Sequence, residues 1–426
     1  MNSKSAPNGI GGVCTEPATA EIERPGEATQ PAPPVESSKP EGALPVPALL
    51  VMALLGFLLI ATETMPSGLL PQIAAGMGIS EGVAGQFVSV YALGTVIAAI
   101  PAVALTRGMR RKPVFLVGIL GYLAANIVTA VSADIALSLA ARFVAGAFSG
   151  LLWGMTAGYA RRISAPAHTG KALAIASLGL PVGLAVGTPF GSWLGTTFDW
   201  RSSFGTLAVL TLVTILLAAA LVPDAPGQAA TTKTPLIQIL RIPGVGIILT
   251  VIVGWMLAHN VVYTYISTYL ASGGLPISVD AALVTFGVAA LVGIGITGVV
   301  IDRTLRPLVL GSITLFVAAG VVFVVGHESV VAVIGALVLW GLAFGGAAAQ
   351  LQTAISIASG DNADVANSML GVAYNLAIFA AGVLGAVIIS TFDGIVLPIV
   401  MIGLALIALA VAFIGRRNAF PMKPCD

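Results

Sequence analysis

Long runs of apolar residues, separated by short polar connections, constrain this chain more than any other feature of its sequence. Most runs reach about 20 residues, the length that an α-helix needs to cross the hydrocarbon core of a bilayer. Charged residues make up 9% of the chain, against about 25% in soluble domains, and the mean hydropathy is +1.01. The sequence therefore predicts an all-α membrane protein. The predicted transmembrane helices are twelve, at about 46–71, 82–106, 113–132, 134–159, 171–196, 203–222, 244–270, 280–301, 307–326, 329–357, 365–391 and 394–414.

The positions of lysine and arginine predict how these helices are oriented. One set of alternate connections, together with the C-terminus, holds fourteen of them, whereas the other set holds only Arg201. Because positively charged connections stay in the cytoplasm, both termini are predicted to be cytoplasmic.

A long connection after the sixth helix divides the chain into two similar halves. TTFD ends the fifth predicted helix at 196–199, and STFD ends the eleventh at 390–393. Such an echo predicts two six-helix repeats around a central axis. The predicted parts are a disordered cytoplasmic tail (1–45), a first six-helix bundle (46–222), a cytoplasmic linker (223–243), a second six-helix bundle (244–415) and a C-terminal tail (416–426).

Glu63 stands near the end of the first apolar run, and it is the only one of the 18 acidic residues that lies well inside a run. An ionisable residue at membrane depth predicts a functional site, because removing its charge from water is costly. Arg142 is likewise the only lysine or arginine well inside a predicted helix. At about 1.5 Å per residue, Glu63 lies roughly 24 Å along an outgoing helix and Arg142 roughly 12 Å along an incoming one. The two residues therefore lie at a similar depth and are predicted to pair.

This pair has two interpretations. Desolvation favours a neutral acid and a nearby guanidinium favours the carboxylate, so a balance of the two lets a group gain and lose a proton as its surroundings change. In the functional interpretation, Glu63 and Arg142 couple proton movement to solute movement. In the alternative, they are a static pair that fixes helix packing.

The fifth predicted helix carries glycine at every fourth position, including Gly183, Gly187 and Gly191, with Pro189 among them. Such spacing makes a smooth face on which another helix packs closely, and proline allows a helix to bend. These four residues are predicted to act in a conformational change at the interface between the halves. Tight packing without motion is the alternative.

Uncharged polar residues are prominent in the second half. Amides and phenols hydrogen-bond neutral solutes without demanding charge, although they also link helices to one another. His259 has a further interpretation as a second proton carrier, because imidazole titrates near neutral pH. The predicted solute-binding residues are His259, Asn260, Tyr263, Gln350, Gln352 and Asn375.

Four stretches of the sequence carry a resemblance. They are TETMPSGLLP at 62–71, ARFVAG at 141–146, GLAVGTPFG at 183–191 followed by DWR at 199–201, and SMLGVAYNL at 368–376. These resemble the first, fourth, fifth and eleventh helices of the major facilitator superfamily, in the branch of bacterial drug/proton antiporters with sugar, arabinose and purine-nucleoside efflux proteins. The resemblance covers about 46–415. It implies a secondary transporter in the inner membrane of a bacterium, and the fifth-helix stretch implies antiport.

The connection after the second predicted helix departs from the family's loop motif. Thr106 and Met109 stand where the family usually has Asp and Gly, although Arg107 is kept. The connection after the eighth helix keeps both Asp302 and Arg303. Arg107, Asp302 and Arg303 are predicted to act in conformational change, and the inner latch of the first half is expected to differ from that of the family.

Together these features predict a proton-coupled exporter of a small organic solute, either a drug or a sugar-like or nucleoside-like metabolite. A proton-coupled nutrient importer fits Glu63 equally well, and a membrane sensor that does not translocate its ligand is a further alternative. The sequence has no nucleophile with a paired base, no phosphate-binding loop and no cluster of metal ligands, so we expect no enzyme activity, cofactor or metal. The expected partners are the solute, protons and the lipid bilayer. The net charge of +1 gives no reason to expect nucleic acid, and the chain is expected to be a monomer.

Overall fold

The computed structural model describes residues 44–106, 108–227 and 236–420, and every regular element in these ranges is helical. Most of the predicted N-terminal tail, Arg107, the middle of the linker and the end of the C-terminal tail lie outside the described residues.

The helices of the first half are α1 (Val46–Thr64), α2 (Leu70–Met77), α3 (Glu81–Ala84), α4 (Gln86–Thr106), α5 (Arg111–Val131), α6 (Ile135–Arg162), α7 (Thr169–Ser177), α8 (Gly179–Val182), α9 (Thr188–Thr197) and α10 (Trp200–Leu221). Those that follow are α11 (Leu236–Leu240), α12 (Val245–Thr264), α13 (Ile266–Ser272), α14 (Val279–Val325), α15 (Val330–Gly345), α16 (Ala347–Ser359), α17 (Ala363–Thr391), α18 (Leu397–Ile414) and α19 (Arg416–Ala419). Single 3₁₀ turns lie at Met65–Gly68, Pro166–His168, Gly360–Asn362 and Gly394–Val396, and a π-helical turn lies at Gly183–Gly187.

Eleven helical segments of the described chain are long and apolar enough to cross a membrane. One of them, α14, has 47 residues, which would make a straight rod of roughly 70 Å. The backbone of Thr304 within it is not helical (φ −132°, ψ 31°). Phe286 and Phe323, which lie on opposite sides of Thr304, both contact Trp340, at 4.8 and 5.8 Å between ring centroids. Because one residue of α15 touches both, α14 folds back at Thr304 into two arms.

The same helix crossing occurs once in each half of the chain, with an offset of 199 residues. In each of its close contacts a glycine lies so near a backbone carbonyl that a Cβ atom would come within 2.5 Å of the oxygen. The contacts are Gly94 with Phe143 and Gly146 with Tyr91 in the first half, and Gly293 with Leu342 and Gly345 with Ala290 in the second. Such close backbone approach is typical of helix pairs in membranes. Two structural repeats therefore share one register.

The first long helix of each repeat follows the same register. α1 and α12 begin 199 residues apart, at Val46 and Val245, and they end within one residue of the same offset, at Thr64 and Thr264. Each is followed by a turn and by a short helix, α2 or α13. Interrupted helices of this kind line binding sites in many transporter folds.

The glycine face of the segment from α8 to α9 packs against α1 and the turn that follows it. A Cβ atom on Gly187 would lie 2.8 Å from that of Ala61, and one on Gly191 would lie 2.5 Å from the side chain of Met65. The sequence analysis expected this face at the interface between the halves. It lies inside the first half instead, because glycine has no side chain and α1 can therefore pack closely against this face.

A different face of the same segment meets the second half. The backbone of Ala185 lies 3.0 Å from a Cβ atom built on Gly287 of α14. Pro189 has no N–H to donate to the Ala185 carbonyl one turn earlier, which leaves the helix less constrained there. The segment thus touches α1 and α14 at once, and its role in a conformational change remains a prediction.

The two halves contact each other at the end of the bundle where α1 ends, called the far end below. There α4 packs against α17, and α3 lies beside α17. The side-chain amide of Gln86 donates to the carbonyl of Gly382 at 3.4 Å. The hydroxyl of Thr268 donates to the carboxylate of Glu81.

Candidate functional site

Arg142 lies at the centre of a buried polar cluster in the first half. Its Nε donates to the carbonyl of Phe87 and its Nη2 to that of Thr62, both at 2.9 Å. The guanidinium lies over the ring of Tyr91, 4.6 Å from the centroid, which stabilises a cation removed from water. Nη1 has no hydrogen-bond partner. Because a buried donor without a partner is costly, this group is ready to bind an acceptor.

Glu63 lies beside this guanidinium, in the last turn of α1. The Thr62 carbonyl that binds Arg142 belongs to the peptide group leading into Glu63, and the charge of Arg142 acts on the Glu63 carboxyl group. Glu63 is 7% exposed and receives no hydrogen bond from another described residue. The structure therefore places the acid near the base, but the predicted pair does not form: among the described residues Glu63 has no ion pair or hydrogen bond, because Arg142 is bound to the α1 backbone.

Two tyrosines complete this cluster, and the sequence analysis missed both. Tyr91 donates to the carbonyl of Leu59 at 3.2 Å, and Tyr122 donates to that of Leu58 at 3.0 Å. Helix α1 is thus held by buried donors from α4, α5 and α6. The available signal was the spacing of Tyr122 and Asn126, which puts a phenol and an amide one turn apart on the same face of the third predicted helix.

The second half has no charged residue at the corresponding place. At the offset of 199, Gly341 stands where Arg142 is. A Cβ atom on Gly341 would lie 2.5 Å from the carbonyl of Phe286, the counterpart of the Phe87 carbonyl that binds Arg142. The two repeats therefore share a backbone crossing and differ in its chemistry.

His259 lies in an aromatic cluster of the second half. Its ring stacks on Phe344 at 3.6 Å between centroids and on Tyr263 at 5.0 Å. The indole Nε1 of Trp340 donates to His259 Nδ1 at 3.0 Å. Because an indole N–H only donates, Nδ1 must be unprotonated, so the ring is neutral with its proton on Nε2. If the ring were protonated, the N–H at His259 Nδ1 would point at the indole N–H of Trp340.

Asn260 and Tyr263 lie on the same helix and have different surroundings. Asn260 donates to the carbonyl of Met256, one turn earlier in α12, at 2.9 Å. Tyr263 is 2% exposed and reaches the first half, where its hydroxyl lies beside those of Thr64 and Thr188. The sequence analysis did not identify either threonine.

The hydrogen bonds of the remaining amides do not connect them to the aromatic cluster. Gln350 donates to Thr297 at 3.2 Å and to Ser312 at 3.1 Å, one on each arm of α14, so it braces the fold-back. Gln352 is exposed. Asn375 donates within its own helix, and its Oδ1 is buried without a partner. Gln350 Oε1 is also unpartnered.

The two basic connections make different contacts. Asp302 and Arg303 are exposed just before the kink of α14. Arg306, after the kink, donates to the carbonyl of Phe420 at 2.6 Å and to that of Arg416 at 2.9 Å. In the second half, Arg306 therefore ties this connection to the end of the chain.

In the first half, the linker takes part. Asp224 forms an ion pair with Arg110 at 2.5 Å and accepts a hydrogen bond from the backbone N–H of Lys112 at 3.0 Å. The carboxylate that this loop lacks at Thr106 is thus supplied from the start of the linker.

A cavity of about 490 Å³ opens at the far end, between α3, α4, α13 and α17. Its polar lining includes Glu81, Gln86 and Thr268. None of the predicted solute-binding residues lines it, so this cavity is separate from both clusters.

Comparison with known proteins gives relatives along almost the whole chain. The family model described as Major Facilitator Superfamily matches residues 52–382. The purine ribonucleoside efflux pump NepI of Salmonella enteritidis PT4 (strain P125109) is 25% identical over 368 residues, which cover 86% of this chain and 92% of that protein. The NepI of Salmonella paratyphi B (strain ATCC BAA-1250 / SPB7) is 26% identical with the same coverage.

Two solved structures are similar in fold. A bacterial homologue of the human lysosomal transporter Spinster, in an inward-facing and unoccupied conformation, has a TM-score of 0.66 and 14% identity, covering 90% of this chain and 100% of that one. A mutant of the nucleoside transporter NupG has a TM-score of 0.70 and 13% identity, covering 87% and 99%. Since the family model spans most of a chain whose fold is that of these transporters, this protein is a multi-pass membrane transporter, not an enzyme, and belongs to the Major Facilitator Superfamily.

Proposed function

We propose that this transporter exports a small, nucleoside-like organic solute in exchange for protons, by alternating access of its two halves. The observation that carries the proposal is the juxtaposition of the buried Glu63 carboxyl group and the unpaired Nη1 of Arg142. Neither group has a hydrogen-bond partner in the part of the chain that the structure describes, although buried polar atoms are normally paired.

In this proposal, the two protonation states of Glu63 suit two arrangements of Arg142. A neutral Glu63 leaves the guanidinium on the carbonyls of Thr62 and Phe87. A charged Glu63 attracts it, and Nη1 forms a charge-assisted hydrogen bond with the carboxylate. Proton uptake and release therefore change how firmly the end of α1 is held.

The relatives support the class of solute and the direction of transport. The NepI proteins are named as purine ribonucleoside efflux pumps, and the alignment covers 92% of their length. The second half supplies aromatic rings, on which a planar base stacks, and the unpaired amide oxygen of Asn375, which accepts from a hydroxyl or amine. His259, Asn260 and Tyr263 line the aromatic side of this proposed solute site.

The topology in this proposal has twelve membrane-spanning helices and cytoplasmic termini. The fold-back of α14 supports the count, because its arms of 25 and 21 residues on either side of Thr304 each reach across about 30 Å. With this orientation the far end, where the two halves touch, faces outward.

The topology is tested by cysteine labelling after Cys14 and Cys425 are replaced by serine. A membrane-impermeant maleimide should label a cysteine at Ala75, exposed in α2, in intact cells. It should label a cysteine at Asn418 only after permeabilisation. The reverse pattern would show that the orientation is wrong.

Proton coupling is tested in proteoliposomes with an imposed pH gradient. Internal pH is followed while adenosine, a sugar such as arabinose or a cationic drug is added to wild type, Glu63→Gln and Glu328→Gln. Glu328 is the matched control, because its side chain is 86% exposed. Adenosine should drive proton flux in wild type and in Glu328→Gln and should drive none in Glu63→Gln.

Other outcomes contradict defined parts of the proposal. Flux that persists in Glu63→Gln would remove Glu63 from the proton path. Solute movement without proton movement would make the protein a facilitator. Proton entry in the same direction as the solute would make it an importer.

A further inference from the structure

Three hydroxyl groups, two from the first half and one from the second, lie close together at Thr64, the residue after Glu63. Thr64 of α1 and Thr188 of α9 lie 2.5 Å apart through their Oγ1 atoms. The hydroxyl of Tyr263, from α12, lies beside both. Thr188 is 0% exposed and Tyr263 is 2% exposed, whereas Thr64 is half-buried.

The donors in this chain of hydroxyls have a fixed order. The Thr64 hydroxyl donates to the carbonyl of Ile60 at 2.8 Å, which uses its only proton. Thr188 must therefore donate to Thr64. The oxygen of Thr188 is then left to accept, and the hydroxyl of Tyr263 from the second half lies beside it. The contact thus extends from Tyr263 through Thr188 and Thr64 to the α1 backbone.

Thr64 and Tyr263 are equivalent residues of the two repeats, because they are separated by the same 199 residues as the starts of α1 and α12. In a two-fold arrangement, a residue that meets its own equivalent lies near the symmetry axis. The hydroxyl chain therefore lies where the first helices of both halves meet, and any relative displacement of the halves alters it.

Each end of the chain adjoins one of the two clusters. Thr64 directly follows Glu63, and Arg142 binds the carbonyl of Thr62, so the proton site acts on the same helical turn. Tyr263 stacks on His259 in the aromatic cluster. A change in how Arg142 holds α1 thus reaches the second half through two threonines.

We propose that Tyr263 is a positioning residue for coupling, which ties the protonation of Glu63 to the opening of the far end through Thr188 and Thr64. This inference rests on the proposed proton-coupled function and deepens it. With Glu63 neutral and Arg142 bound to α1, the hydroxyl chain is intact and the halves stay together. When Glu63 is charged and draws Arg142 away, the end of α1 shifts, Thr64 and Thr188 lose their contact with Tyr263, and the halves separate.

The titratable groups that face Glu63 are few. Arg142 of α6 and Tyr91 of α4 act on it directly, and Tyr122 of α5 lies behind them. The helices with the glycine face carry no ionisable side chain from 172 to 198. Across the interface, the facing group is Tyr263 itself, so the response to pH is expected to come from Glu63.

The inference is tested by measuring the separation of the far ends without requiring transport. Spin labels at Ala75 in α2 and Ala271 in α13, both exposed, report the distance between the halves in full-length protein lacking Cys14 and Cys425. In wild type, the distance distribution should change from about pH 5 to about pH 8, across the range in which a perturbed carboxyl group titrates. In Tyr263→Phe, the distribution should be the same at both pH values.

Matched variants separate coupling from folding. Tyr269→Phe removes another buried phenol, whose hydrogen bond to Phe323 stays within the second half, and it should behave as wild type. Thr188→Val removes the hydroxyl on the other side of this contact, so it should give the same pH-independent distance distribution as Tyr263→Phe. Thr188→Ser keeps a hydroxyl and should keep the wild-type response to pH. In proteoliposomes at saturating solute, Tyr263→Phe should move at least tenfold fewer protons per solute transported than wild type or Tyr269→Phe.

The outcomes distinguish this inference from the function on which it rests. A pH response retained by both Tyr263→Phe and Thr188→Val contradicts the inference alone. Equal losses in Tyr269→Phe and Tyr263→Phe show a merely structural role and also overturn it. A wild-type protein with neither a pH response nor solute-driven proton flux contradicts the proposed function, and this inference fails with it.

Discussion

Arg142 donates a hydrogen bond of 2.9 Å to the backbone carbonyl of Thr62, the residue before Glu63. The buried base is thus anchored to the helix that carries the buried acid. In the proposed mechanism, this contact makes the position of α1 depend on the charge of Glu63, because the guanidinium has one further donor to offer.

Arg142→Lys is expected to abolish coupling while keeping the charge. A lysine side chain lacks the planar guanidinium, so it does not donate hydrogen bonds to the carbonyls of Phe87 and Thr62 at the same time. Solute-driven proton flux should fall more than tenfold. The free energy of unfolding should fall by about 1–3 kcal/mol for a buried carbonyl left unpaired. Flux in proteoliposomes and thermal unfolding in detergent measure the two effects. Arg201→Lys is the control, and wild-type flux in Arg142→Lys would show that charge alone suffices.

Gly187→Ala is expected to destabilise the first half. The new Cβ atom would lie 2.8 Å from the Cβ of Ala61, which cannot rotate away, and overpacking of this kind costs about 1–3 kcal/mol. Gly205→Ala is the matched control, because nothing lies within 4 Å of its Cβ position in α10. That change should be neutral or should stabilise by up to about 1 kcal/mol, the difference in helix propensity. Equal changes in unfolding temperature for Gly187→Ala and Gly205→Ala would contradict the close packing of α1 at Gly187.

Asp224→Asn is expected to remove a pH-dependent part of the stability. The pKa of Asp224 is held below its usual value mainly by the backbone N–H of Lys112, with smaller contributions from the N–H of Ala225 and from Arg110. A lowered pKa in the folded state means that the stabilisation is present above the unfolded pKa, near 4, and is lost as pH falls through the folded value. The unfolding temperature of wild type should therefore exceed that of Asp224→Asn at neutral pH, and the two should converge in acid. A constant difference would rule out the carboxylate as the cause.

His259→Asn is expected to keep proton coupling and to weaken solute binding. The amide oxygen of asparagine replaces Nδ1 as the acceptor for Trp340. The substitution also removes the ring that stacks on Phe344 and Tyr263. Solute-driven proton flux should show the wild-type pH dependence, with KM raised several-fold. His259→Leu should also lower the free energy of unfolding by about 1–3 kcal/mol, because it leaves the indole N–H unpaired. Loss of proton flux in His259→Asn would restore the interpretation of His259 as a proton carrier.

The sequence was enough to predict the class of protein, because the hydrocarbon of the bilayer requires apolar residues along the whole length of a membrane-spanning helix. Apolar runs, few charges and the four motif stretches predicted a membrane transporter of the major facilitator superfamily, and the family comparison confirms it. Glu63 and Arg142 were identifiable for the same reason, since a charge inside an apolar run needs no alignment to be noticed.

Other features depended on contacts between residues far apart in the chain. The glycine spacing predicted a close helix contact, but only the packing showed that the partner is α1 and not the other half. Gln350 looked like a solute ligand, whereas its neighbours Thr297 and Ser312 are brought to it by the fold-back of α14.

The sequence by itself determined what kind of solvent surrounds this chain and where its rare ionisable groups lie, because both follow from local composition and helical rise. Tertiary structure alone decided that Arg142 binds the backbone of α1, that Tyr91 and Tyr122 join it, and that Tyr263 reaches Thr64 and Thr188. Hydrogen bonds act over about 3 Å, and only the packing of the helices brings Thr64 and Thr188, 124 positions apart, within that distance.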